Sequence, residues 1–307
     1  MKHLEDGVKT ILVAVDFSQP TKRAFDAAIR AARTFGAAMI ILHANEEDSL
    51  FGGHSSEEMT HFLDDIVRRR TDWMATFEQR AAELGVRARA ILRDGEPAET
   101  IVQVAEEVDA DLIVMGTQGA RGLGNVLPGS VAKKVLRTAD RPIMVISRMA
   151  GVAPAEGGGT FDRIVYPTDF SEASRAGLRV AEMMVEKTDA ALTLVNVVRL
   201  PRLIPSLPGE PPIVLPDRAV EHLQENFEKQ MEELVAELPG DEIDSVVAVN
   251  ADPAGGICDI ASQSGVDLIV IARHSKHGAG SLVFGRTAEK VVKTAPVPVL
   301  LFNPRVG

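Results

Sequence analysis

Short apolar runs alternate with amphipathic segments along the first half of the chain, a pattern typical of strands that alternate with helices. Alanines recur at helical spacing after Ser18, and Gly36 supplies a stop signal. The predicted strands are Lys9–Val15, Ala38–Ala44, Val86–Leu92, Leu112–Met115 and Ile143–Ile146. The predicted helices are Pro20–Phe35, Glu57–Leu84, Pro97–Val108 and Ser130–Thr138. The order βαβαβαβαβ predicts an α/β fold with an open parallel sheet covered by helices on both faces.

The chain repeats itself. Asp111–Val114 (DLIV) returns 156 residues later as Asp267–Val270, and Asp16–Ser18 (DFS) returns 153 residues later as Asp169–Ser171. The second copy adds a Pro-rich loop, Leu200–Pro216, before its long helix. A repeat of this length predicts two tandem domains. We place them at residues 1–148 and 161–307, with the small, Gly-rich segment 149–160 as linker.

Candidate core residues follow from the same periodicity. Phe62, Trp73 and Phe77 recur near a 3.6-residue period on the long first-half helix, so we expect all three in the core. Cys258 falls on a predicted helix of the second copy, where we expect a small buried hydrophobe rather than a nucleophile.

Composition narrows the range of functions. The net charge of −11 argues against a protein that binds a nucleic-acid backbone. Aromatic residues at 4% leave few stacking platforms for single strands. No apolar run reaches the roughly 18–20 residues of a membrane helix. The one cysteine excludes an internal disulfide framework, and we expect a cytoplasmic location.

The richest chemical signal is the glycine pattern that follows the strand ending at Met115. Gly116 and Gly119 come first, and Gly129 and Ser130 follow after nine residues, where the next helix begins. Ligands of open α/β sheets sit at the carboxyl ends of strands, and glycines with a helix N-terminus suit a phosphate. Ser130 could bind a phosphate oxygen or cap its helix, and Arg121 is the nearest cation. The alternative is an ordinary long loop.

Two well-known phosphate motifs are excluded. No Lys-Ser or Lys-Thr follows Gly129, so the loop is not a Walker A motif, and its spacing is not the Rossmann fingerprint. Asp16 ends the first strand, beside the same edge of the sheet. A carboxylate would repel phosphates, so Asp16 either meets the base or ribose of a nucleotide or caps the first helix.

With these residues, the sequence resembles the universal stress protein family in its tandem form, over essentially the whole chain. The resemblance implies an adenine nucleotide alpha hydrolase-like, Rossmann-like sandwich in each half, with ATP across the rim of strands one and four. It places adenine against Ala14, Val15, Asp16 and Ala44. It places ribose and phosphates against Met115, Gly116, Gly119, Gly129, Ser130 and Val131.

The second half departs from that pattern. Ala272, Ser275 and Arg286 stand where the first half has Gly116, Gly119 and Ser130. Our hypothesis is therefore that only the first half binds ATP. The resemblance also implies that the last strands, Arg141–Ile146 and Pro296–Phe302, pair with each other, so that one chain imitates a homodimer. Further self-association stays open.

Three functions are the main alternatives, and a flavin or electron-transfer module is a distant fourth. The favoured one is an ATP-binding stress or regulatory protein whose nucleotide sets conformation or the choice of an unidentified protein partner. The others are a slow ATPase and a scaffold with a vestigial nucleotide site. Phosphoryl transfer needs placed cations and a group that orients the nucleophile, and the sequence offers neither clearly. Magnesium at Glu46, Glu47 and Asp48 is an unsupported option, and His274 and His277 alone are a weak metal pair.

Overall fold

The computed structural model describes residues 4, 7–18, 20–45, 57–117, 129–153, 155, 159–200, 203–204, 213–239, 243–273 and 285–304. The strands are β1 Thr10–Ala14, β2 Ala38–Asn45, β3 Ala88–Asp94, β4 Leu112–Gly116, β5 Ile143–Ile146, β6 Arg163–Pro167, β7 Ala191–Val198, β8 Leu203–Ile204, β9 Ile213–Val214, β10 Ile243–Val249, β11 Leu268–Ala272 and β12 Val299–Phe302. The helices are α1 Pro20–Phe35, α2 Glu57–Glu83, α3 Pro97–Glu107, α4 Ser130–Thr138, α5 Glu172–Thr188, α6 Asp217–Ala236, α7 Pro253–Gln263 and α8 Arg286–Thr294. These bounds confirm the α/β prediction for the first half to within two residues.

One sheet runs through both halves of the described chain. Its strand order is β10-β7-β6-β11-β12-β5-β4-β1-β2-β3. The pairing of β12 with β5 is antiparallel, with Leu300 opposite Met144, and the pairings within each half are parallel. The predicted pairing of the two last strands is therefore confirmed, and it leaves neither of these apolar strands as an open edge.

The core lies on both faces of this sheet, because successive strand residues point to opposite sides. Ile11 and Val13 belong to the layer formed with α1, α2, α5 and α6, while Leu12 belongs to the layer formed with α3, α4, α7 and α8. Helices therefore cover each face. None of the described helices is long and apolar enough to cross a membrane.

Three arginines of α1 bind the segment between the halves. Arg23 donates to the carbonyl of Ala150 at 3.4 Å, Arg30 donates through Nε to Thr160 at 2.8 Å, and Arg33 donates to Ala155 at 2.6 Å. Arg30 also forms an ion pair with Asp267 of the second half, at 2.7 Å. The described parts of the predicted linker are thus fixed to the first half.

Two expectations about the helices and loops are wrong. Phe62 is 54% exposed, because the first turns of α2 extend past the packed core, whereas Trp73 and Phe77 pack against it. The Pro-rich segment Leu200–Pro216 is not only a loop, since β8 and β9 within it form a short antiparallel ladder.

Candidate functional site

The reversal of strand order places the candidate site. Strands β2 and β3 lie on one side of β1 and β4 lies on the other, so β1 and β4 flank the crevice where α/β folds bind ligands. Leu12 pairs with Ile40 on β2 and with Ile113 on β4, so the carboxyl ends of all three strands share one edge. The predicted site residues Ala14, Val15, Asp16, Ala44, Met115 and Gly116 lie at this edge.

The turn after β1 holds the half-buried Asp16. Its Oδ1 accepts a hydrogen bond from the Ser18 backbone N–H at 3.0 Å, and the Thr21 hydroxyl lies 2.6 Å from the same oxygen. The hydroxyl of Ser18 also donates to it. Asp16 therefore shapes the turn that leads into α1, and both its capping role and its ligand role stay predictions.

His43 forms a hydrogen bond with the backbone of Val15, which lies next to Asp16 at the same edge of the sheet. This buried ring lies with Nδ1 2.9 Å from the Val15 carbonyl oxygen, and since a carbonyl only accepts, Nδ1 is the donor. Burial lowers the pKa of His43 below its usual 6.5 and outweighs the Val15 hydrogen bond, which raises it. In the second half, Asn196 donates to the Thr168 carbonyl in the same way, at 2.8 Å. Sequence reasoning missed His43, although the 153-residue repeat aligns it with Asn196 and gives the only signal.

An aromatic cluster borders Asp16. Phe17 lies on Trp73 with ring centroids 4.4 Å apart, and His43 meets the Phe17 ring at 4.7 Å. The guanidinium of Arg70 lies 6.0 Å from the Phe17 centroid. Phe17 is nevertheless 49% exposed, so an apolar surface borders the site. The sequence analysis missed this surface, because Phe17 and Trp73 meet only in the folded chain.

The fourth strand leads to the start of α4. Met115 is buried, and the Gly129 N–H donates to the Thr117 carbonyl at 2.7 Å, which brings the start of α4 to the end of β4. Gly129 is the N-cap residue, and no side chain caps the helix. Ser130 is the exposed first helical residue, so the alternative that it caps α4 is wrong, and its contact with a phosphate stays a prediction. Val131 is half-buried, while Gly119 and Arg121 lie outside the described residues.

The start of α4 is therefore suited to an anion. The first backbone N–H groups of a helix have no partner within it, and they carry the positive end of its dipole. The first turn of α4 contains no acidic residue. Lys133 is exposed, whereas Lys134 forms ion pairs with Glu96 at 3.0 Å and Glu99 at 2.7 Å. The hydrogen bonds to these two carboxylates raise the pKa of Lys134, and the bond to Glu99 has the larger effect.

The same position differs in the second half. Helix α8 also begins after a glycine, Gly285, with no side-chain cap, but its first turn carries Glu289. This residue aligns with Lys133, so the charge is reversed between the copies. Ala272 is buried where Gly116 is half-buried, and Arg286 is exposed at the place of Ser130. Ser275, His274 and His277 lie outside the described residues.

The remaining candidates from the sequence are the cysteine and the possible metal ligands. Cys258 is buried, which confirms its expected place, and burial raises its thiol pKa. No group of three or more His, Cys, Asp or Glu side chains is arranged for a metal within the part of the chain that the structure describes. Glu46, Glu47 and Asp48 lie outside that part.

Comparisons with known proteins agree with the repeat. The model of the Universal stress protein family matches residues 7–147 and again 160–303. A universal stress protein of Bacillus subtilis, YxiE, is 34% identical over 145 residues, which are 44% of this chain and 97% of that protein. One from Thermus aquaticus is 36% identical over 140 residues, covering 45% of this chain and 98% of that protein. Each of these two relatives thus corresponds to one half of this chain.

A solved structure shares the two-domain fold. The chain is similar to a universal stress protein from Archaeoglobus fulgidus DSM 4304, with a TM-score of 0.65 and 18% identity, over 96% of this chain and 98% of the other. A second similar structure, from Pseudomonas aeruginosa UCBPP-PA14, has a TM-score of 0.61 and 17% identity, over 97% of this chain and 94% of the other. At these identities the likeness concerns the fold.

Proposed function

We propose, given that this chain belongs to the universal stress protein family, that its first half binds an adenine nucleotide, with ATP as the preferred ligand, and acts in a stress response. The nucleotide would set the conformation of the chain or its choice of protein partner. The observation that carries the proposal is the start of α4, which has neither a capping side chain nor an acid in its first turn. It lies at the carboxyl edge of the neighbouring strands β1 and β4, where the strand order reverses.

The described residues fit the two ends of such a ligand. Gly116 and Gly129 have no side chain to fill the space beside β4, and the first N–H groups of α4 suit phosphate oxygens. Ala14 and Ala44 offer small apolar side chains beside the base, Val15 offers its backbone, and Asp16 suits the ribose hydroxyls or the base N–H groups. The hydrogen bond from His43 fixes the backbone carbonyl of Val15 at this edge, at 2.9 Å.

We propose further that the nucleotide site belongs to the first half alone. In α8 the carboxylate of Glu289 already lies in the first turn, and it pairs with Lys293 at 2.8 Å. An acid there reduces the attraction of the helix end for phosphates. Ala272, which stands where the first half has Gly116, carries a methyl group that is buried in the core.

Isothermal titration of the whole chain with ATP tests both statements. We expect one site per chain, with adenosine weaker than ATP because it lacks the phosphates. Two equal sites would overturn the restriction to the first half, and binding of neither ligand would overturn the nucleotide proposal. Phosphate release measured in the same samples separates a binding protein from a slow ATPase.

A further inference from the structure

Arg273 is the most deeply buried cation of the described chain, and it belongs to the second half. It directly follows β11 and is 1% exposed. Its backbone N–H donates to the Phe302 carbonyl at 2.8 Å, which fixes the residue between β11 and β12. Its guanidinium crosses to the first half and donates to the carbonyls of Leu136 at 2.9 Å, Ala139 at 3.2 Å and Arg141 at 3.0 Å.

These three carbonyls mark the C-terminal end of α4. The Val135 carbonyl accepts from the Ala139 N–H, but the Leu136 carbonyl comes too late in the helix for an intrahelical partner. A cation at this end complements the negative pole of the helix dipole. Burial lowers the pKa of Arg273 to about 10, so the guanidinium stays protonated at neutral pH. Its Nε has no hydrogen-bond partner among the described residues, so the three carbonyls and the nearby negative charge of Asp140 are what offset its burial.

The contact is not mirrored between the halves. Arg273 aligns with Thr117, a short neutral side chain that is buried in its own half. The end of α8 is bound instead by the Ser147 hydroxyl, which donates to the Ala295 carbonyl at 2.6 Å. Of the two helix ends compared, as far as the described residues show, that of α4, the helix whose start we assign to phosphate binding, receives a cation from the opposite half, and that of α8 receives a hydroxyl.

We propose that Arg273 is a positioning residue for the phosphate site: the second half, which lacks the glycine pattern, holds α4 so that its first N–H groups point at the ligand. This inference rests on the proposed function. Helix α4 has nine residues and is about 14 Å long, so a tilt at the end held by Arg273 displaces its start. The pairs of Lys134 with Glu96 and Glu99 hold the middle of α4 but not its end.

The test compares Arg273→Met and Arg273→Lys with a matched control, Arg30→Met. Arg30 is also a well-buried arginine that links the halves, through Thr160 and Asp267, but it does not contact α4. Titration with ATP and with adenosine measures the site, and amide hydrogen exchange of residues 133–139 measures α4 itself. For Arg273→Met we expect ATP binding weakened about tenfold, adenosine binding changed less than about twofold, and faster exchange in α4. Arg273→Lys, which keeps the charge but not the three-way geometry, should fall between.

Several results would overturn the inference. Equal losses for ATP and adenosine would mean that Arg273 supports the fold rather than the phosphate end of the site. The same ATP loss in Arg30→Met would assign the effect to the junction of the halves in general. Unchanged exchange in α4 would show that Arg273 does not hold the helix, whether or not a nucleotide binds. Failure of the wild-type chain to bind either ligand would overturn the proposed function, and the exchange measurement would still report on the contact.

Discussion

Replacing Ser130 with aspartate separates the stability of α4 from its proposed affinity for phosphate. Ser130 is exposed, is the first residue of α4 and makes no capping hydrogen bond, so the substitution removes no contact of the fold. A negative side chain in a first turn interacts favourably with the helix dipole, by about 0.3–1 kcal/mol. We therefore expect Ser130→Asp to raise the free energy of unfolding slightly.

The same charge should weaken ATP binding. Two like charges about 4 Å apart repel by about 1 kcal/mol in water and about 4 kcal/mol near a protein surface. Because residue 130 is exposed, the lower part of this range applies, and about 1–2 kcal/mol corresponds to a loss of affinity of about five- to thirtyfold. Adenosine carries no phosphate, so its affinity should stay within about twofold of the wild-type value.

The assay is titration calorimetry with ATP and adenosine at low salt, together with urea unfolding of the free chain. Arg286→Asp is the matched control, since Arg286 is the exposed first residue of α8, the corresponding helix of the second half. It should leave the ATP affinity unchanged. Unaltered ATP binding in Ser130→Asp, or an equal loss for adenosine, would refute a phosphate site at the start of α4.

Two further predictions concern the fold around the site. His43→Asn should make the free energy of unfolding depend less on pH. The pKa of His43 is lowered in the folded chain, so the neutral ring stabilises the fold fully above about pH 6.5, and this stabilisation declines as the pH falls. Urea unfolding at pH 7.5 and at pH 5 measures the free energy of unfolding at each pH. An equal change in this free energy between the two pH values for wild type and variant would contradict the prediction. Phe302→Ala should cost about 3–5 kcal/mol of unfolding free energy, because Phe302 is fully buried on β12, whereas Phe62→Ala should change it by less than about 0.5 kcal/mol. A cost below about 1 kcal/mol for Phe302→Ala would show that the junction of the halves is not part of the core.

Hydrophobic periodicity was sufficient for the order and approximate length of the first-half elements. It failed at boundaries that depend on single backbone contacts. Strand β3 begins at Ala88 rather than Val86, because the Val86 N–H donates to the Ala81 carbonyl and completes the end of α2. Gly85, with a φ of 76°, turns the chain at that point.

Periodicity also shows which face of a helix is apolar, but not how far the sheet beneath it extends. Helix α2 has 27 residues and is about 40 Å long, while the eight-residue β2 is about 26 Å long. The helix therefore exceeds the strand, and Phe62 in its early turns is exposed although it lies on the predicted face.

The site was predictable where its residues sit at strand ends, and not where it depends on contacts between distant segments. Asp16 and Gly129 were found because their positions follow from the alternation of strands and helices. Phe17 on Trp73, His43 on Val15 and Arg273 on α4 each join residues far apart in sequence. The repeat could have drawn attention to His43 and Lys133. Their aligned counterparts in the second half, Asn196 and Glu289, are different residue types, and such positions mark where the two copies diverge.

Native mass spectrometry of the freshly purified whole chain tests the central claim most directly, because it reads the mass and the number of bound small molecules together. We expect a population carrying one adenine nucleotide per chain, whose proportion rises with added ATP and saturates at one. A chain that shows only the mass of the ligand-free protein at saturating ATP would contradict the account.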